Sequence, residues 1–170
     1  PWMTRVAGYS PLESATGLFW INITMLVSFF LWGYFLPKIT NLGFSAFKIL
    51  KLGLPLSFLV MLTIILLGPK AGTFYIALFI LSSIFLSVIQ PAVGLSFQSH
   101  LAGKALTSFN LLIFLGTFIM QWFIGLLIDL VKGLGYSEII GFKTSFSVFL
   151  LLSLMAYIFF LIINRNPQSV

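Results

Sequence analysis

Residues 105–131 read ALTSFNLLIFLGTFIMQWFIGLLIDLV, and this stretch decides the fold. Asp129, near its end, is its one charged residue, and the run exceeds the roughly 20 apolar residues that a helix needs to cross a bilayer. Hydrocarbon offers no water to backbone N–H and C=O groups, so such a run must pair them within itself, as a helix. Gly103-Lys104 stands before it and Lys132-Gly133-Leu134-Gly135 after it, both reading as connections.

Working outward, four more runs of the same kind appear. Ser10-Pro11-Leu12-Glu13 is the clearest helix start: serine caps, proline suits the first turn, and glutamate three residues on completes a capping box. A first span is expected at 11–36, ended by Pro37-Lys38 and Asn41-Leu42-Gly43. A second at 49–67 ends in Gly68-Pro69-Lys70-Ala71-Gly72, with Pro55 placed to bend it. The third, 73–97, carries Gln90-Pro91 and Gly94, predicting a kink near Pro91. The fourth is 105–131 and the fifth 142–164, followed by Arg165-Asn166-Pro167.

Composition agrees: 60% of residues are hydrophobic, 7% are charged, and the mean hydropathy is +1.15, which excludes an ordinary soluble domain. The expectation is an all-α membrane protein, a polytopic bundle of about five transmembrane helices forming a single domain over residues 1–170. No cysteine and one histidine, His100, leave no plausible zinc or haem site, so no metal or cofactor is expected. The formal charge of +6 comes from nine scattered Lys and Arg, which suits anionic headgroups of a lipid bilayer and not nucleic acid.

Basic residues alternate in sidedness with the spans. Lys38, Lys48, Lys51, Lys104 and Arg165 fall on one side, and Arg5, Lys70, Lys132 and Lys143 on the other. This leans toward a multi-pass membrane protein whose 37–51 loop, 98–104 loop and C-terminus are cytoplasmic. The start at Pro1-Trp2-Met3 carries no secretory signal and reads as part of a longer chain.

The sequence resembles the C-terminal six-helix half of a major facilitator superfamily transporter. The likeness is carried by Pro1-Trp2-Met3 with Val6-Ala7-Gly8-Tyr9-Ser10, and by Gly33 and Lys38 as remnants of a cytoplasmic loop motif whose acidic position is Pro37 here. It is carried most by Gly103-Lys104-Ala105-Leu106-Thr107-Ser108-Phe109-Asn110 with Gly116, Gln121, Gly125 and Asp129. The resemblance implies helices eight to twelve preceded by the tail of helix seven, a missing N-terminal half of the same chain, and alternating access. The resemblance, to bacterial members of the family, implies secondary active transport of a small solute across a bacterial inner membrane, with a proton or sodium ion as the candidate coupling partner. The other reading is a noncatalytic membrane subunit with a packing or assembly role.

Polar residues inside the spans are the candidate site. Asn110, Phe114, Thr117, Gln121 and Gly125 recur at steps of three or four and share one helix face. They read either as a strip facing a solute or as interhelical glue. Ser83, Ser87 and Gln90 form a similar stripe; the serines suit bonds to their own helix, whereas Gln90 beside Pro91 is a cavity candidate. Trp20, roughly 15 Å beyond the first cap at 1.5 Å per residue, lies near mid-membrane, where it could stack on a ligand or pack on a neighbour. Asp129 is expected to pair with Lys132. No Ser, His and Asp set, no paired carboxylates and no nucleotide loop occur, so an enzyme is not expected.

Overall fold

The capping box forms as expected: Ser10 N–H donates to Glu13 Oε2 at 2.8 Å, and Glu13 N–H donates to Ser10 Oγ at 3.3 Å. In the computed structural model, which describes residues 1–164, this box opens the first long helix. The element order is α1 (Trp2–Arg5), α2 (Pro11–Asn41), α3 (Ala46–Leu67), α4 (Thr73–Ser82), α5 (Ile89–Leu95), α6 (Ser99–Gly133) and α7 (Glu138–Ile163). Short 3-10 segments occupy Gly68–Lys70 and Ile84–Val88. Among the described residues, five stretches are long and apolar enough to cross a membrane, the third of them built from α4, the second 3-10 segment and α5. Arg165, Asn166 and Pro167 lie outside the described residues.

Several boundaries differ from the sequence reading, each for a local reason. α2 continues through Pro37 to Asn41, five residues past the predicted end at 36. Leu36 and Ile39 pack on a core of Ile49, Leu50 and Val88, and Lys38 Nζ reaches back to Tyr34 Oη at 3.0 Å, so packing on this turn outweighs the single helical bond that proline removes. α6 begins at Ser99, so His100, Gly103 and Lys104 are helical and not loop residues. α7 begins at Glu138, four residues before the predicted 142, because Ser137 Oγ accepts from Ile140 N–H at 3.4 Å and caps it.

α3 is the centre of the bundle: 44% of its most apolar window is buried, against 6–11% for the other four spans. It packs against α4, the Ile84–Val88 segment and α7; α2 lies on α4; α6 joins α5 and α7. Small residues set the α6 and α7 spacing. A Cβ on Gly141 would stand 3.3 Å from Ile128 O, and four residues on, Ser145 is fully buried with its hydroxyl 2.9 Å from Gly141 O and 3.3 Å from Ile124 O. That is the small-residue packing by which membrane helices approach closely.

Helix breaks are repaired from neighbouring helices. Pro55 has no N–H to give the carbonyl of Lys51, four residues earlier; Tyr157 Oη of α7 donates to that carbonyl at 2.7 Å instead. At the end of α4, the Leu86 N–H bonds Ser83 O and not Ser82 O, and the buried Ser57 Oγ donates to Ser82 O at 2.5 Å. The distortion expected at Pro91 thus lies in the preceding turn, the 3-10 segment, because a proline ring presses on the carbonyl one turn before it. Hydrocarbon tolerates such breaks only when the freed groups find partners.

This predicts a coupled pair. Tyr157→Phe should cost about 1–2 kcal/mol, near the upper limit for membrane hydrogen bonds, since Lys51 O has no helical donor to fall back on. With Pro55→Ala in place, an N–H returns at residue 55 and the Tyr157→Phe penalty should shrink toward zero. Thermal melting of the four purified proteins in detergent checks this; equal penalties in both backgrounds would refute the repair.

Candidate functional site

Gln90 on α5 and Asn110 on α6 are brought together by the packing of these two helices, with Gln90 Nε2 donating to Asn110 Oδ1 at 2.9 Å. The bond uses one donor and one acceptor. Gln90 Oε1 and the Asn110 amide hydrogens make no other hydrogen bond among the described residues, so the pair still offers an acceptor and donors side by side.

The rest of the α6 stripe is open. Residues 111–119 are exposed without interruption, because α6 meets α5 near Leu106 and Asn110 and meets α7 near Ile124 and Ile128, leaving its middle unsupported. Phe114 is 74% exposed, Gln121 is exposed and makes no hydrogen bond to a described residue, and Thr117 Oγ1 donates to Ile113 O at 2.8 Å. Thr117 has therefore spent its proton on its own helix and retains only acceptor capacity. Ser83 and Ser87 likewise bond back, to Phe79 O at 2.8 Å and Ile84 O at 2.7 Å.

On α2, Trp20 is 59% exposed and meets Phe19 edge-on at 5.5 Å between centroids; it is not joined to the Gln90 and Asn110 pair. Asn22 and Thr24 bond back to Leu18 O and Trp20 O. Gly33 and Lys38, the remnants of the loop motif, both lie within α2, Gly33 inside the expected span and Lys38 past its expected end at 36; Lys38 Nζ sits 4.1 Å from the Tyr34 ring centroid.

At the end of the bundle where α3 finishes and α7 begins, the residues preceding α2 form an anchor. Trp2 is 5% exposed, donates through Nε1 to Ala71 O at 2.8 Å, and stacks on Phe146 at 4.8 Å. Tyr9 Oη accepts from Thr73 N–H at 3.3 Å, and Arg5 pairs with Glu138 at 2.9 Å. The expected Asp129 and Lys132 pair is absent, and Arg5 with Glu138 is the ion pair that forms among the described residues. Asp129 and Lys132 are both exposed, and an exposed pair three residues apart gains too little to hold two flexible side chains together. Little in the local sequence marked Trp2 as core, since its hydrogen-bond and ring partners Ala71, Phe142 and Phe146 lie about seventy residues or more away; the local signal was a large aromatic beside Met3 and Val6.

The chain matches no known protein family, no curated protein and no solved structure. The site is therefore defined by its own chemistry. Gln90 and Asn110 are uncharged carboxamides on neighbouring helices, and such groups can donate hydrogen bonds to a polar ligand and accept them from it.

Proposed function

We propose that this chain is half of a secondary active transporter for a small solute, resembling the C-terminal half of a major facilitator superfamily protein, with the α6 stripe lining an aqueous path. The carrying observation is the open middle of α6: Phe114, Thr117 and Gln121 are exposed on one face, and at its end the half-buried Asn110 is met by the Gln90 amide. An uncharged polar strip unburied in hydrocarbon is costly, and a water-filled cleft shared with a second helical half removes that cost. Carboxamide and aromatic groups suit a neutral or zwitterionic solute better than a densely charged one. Alternating access would rock the two halves about this strip.

The sequence contains no cysteine, which makes the test direct. Single cysteines at 110, 114, 117 and 121 of the protein in its native membrane should react with an impermeant thiol reagent, whereas cysteines at 112 and 119 should not. Labelling at steps of three or four supports the path. A uniformly unreactive stripe would favour the assembly-subunit reading, in which these groups sit in dry helix interfaces.

A further inference from the structure

Two apolar pockets, of about 370 and 450 Å³, flank the seam between α3 and α7 and meet at Phe58 and Tyr157, which line both. Their rings touch edge to face at 5.4 Å. The first pocket has no polar lining residue besides Tyr157, and the second adds only Ser153. Both hydroxyls are already committed, Tyr157 to Lys51 O and Ser153 to Phe149 O at 2.8 Å. A polar solute would find no donor there, so the groove suits an apolar chain. None of the candidate solute-contacting residues lines it.

Charge indicates which apolar chain. Lys51 stands on the same α3 stripe as Pro55, Phe58 and Leu62, and helical side chains tilt toward the N-terminus, so its exposed ammonium points out of the groove toward the membrane surface. That end of the bundle also carries Lys38, Lys48 and Lys104. All three carboxylates, Glu13, Asp129 and Glu138, lie at the opposite end, at the start of α2, the end of α6 and the start of α7. We propose that the α3 and α7 groove holds an acyl chain of an anionic phospholipid whose phosphate sits at Lys51.

The site is tested by native mass spectrometry of the full chain extracted in mild detergent and offered phosphatidylglycerol or phosphatidylcholine with identical acyl chains. Wild-type protein should retain the anionic lipid about fivefold more, the preference expected from one lysine near a membrane surface. Lys51→Gln should abolish that preference, and Lys70→Gln, at the opposite end of the bundle, should leave it intact. Leu154→Trp fills the groove and should lower retention of both lipids; Ala156→Phe, from the second pocket, serves if the first variant does not fold. Equal retention of the two lipids by the wild type, an unchanged preference in Lys51→Gln, or undiminished lipid in a folded groove-filling variant would each overturn the proposal.

Discussion

Trp2→Ala should lower stability by about 3–5 kcal/mol, the range for emptying a large aromatic from a core. Three contributions combine. The ring fills a cluster with Val6, Val60, Ile64, Ala71, Ile128 and Phe142, so truncation leaves a cavity reaching three helices, α3, α6 and α7. It stacks on Phe146 and meets Phe142 edge-on at 6.0 Å. It also supplies the side-chain donor to the carbonyl of Ala71, which is 0% exposed. Trp2→Phe separates these effects: it keeps most of the packing and removes the donor, for an expected cost of about 1–3 kcal/mol. The nearby Arg5 and Glu138 pair, with side chains 60% and 30% exposed, should contribute no more than about 1 kcal/mol, so Arg5→Ala should be mild. Melting in detergent ranks the three variants, and hydrogen exchange at residues 68–73 should rise most in Trp2→Ala. A Trp2→Ala protein that melts with the wild type would show that the segment preceding α2 does not anchor the bundle.

Apolar run length and the Ser10 capping box were sufficient to place all five spans, because the bilayer imposes helix on any such run. Ends were misplaced wherever tertiary contacts settle them: Leu36 and Ile39 hold α2 helical past Pro37, and no pattern within residues 37–41 announces that. The serine stripe bonded back to its own helix as its chemistry suggests, while Gln90 and Asn110, twenty residues apart on separate stripes, proved to be neighbours. Periodicity can assign residues to a face but cannot say which two faces meet. Pro55 was legible as a break, but the hydroxyl that repairs it stands 106 residues away on α7, and only the packed bundle identifies Tyr157. Long-range partners such as Trp2 with Ala71 escape sequence reading for the same reason.

Enlarging Gly53 should also be damaging, at about 1–3 kcal/mol for Gly53→Ala and more for Gly53→Leu. Gly53 is buried on α3, and a Cβ there would overlap the Phe85 ring and come within 2.9 Å of Phe85 Cβ, too near the backbone for a rotamer change to relieve it. Phe85 cannot withdraw freely, because it meets Trp32 of α2 edge-on at 5.3 Å and belongs to the core around Ile49, Leu50 and Val88. Any relief must move the 3-10 segment Ile84–Val88, and Gln90 follows that segment by two residues. Gly53→Ala should therefore reach beyond stability: it should displace Gln90 from Asn110 and alter thiol labelling of a cysteine at 121 relative to one at 114. Phe85→Ala alone should cost about 3 kcal/mol by leaving a cavity. Combined with Gly53→Ala it should cost less than the sum of the two, with a coupling within the roughly 0.5–3 kcal/mol seen for residues in contact. Strictly additive penalties would mean that Gly53 and Phe85 do not share the space, and the link from α3 packing to the position of Gln90 would fail with it.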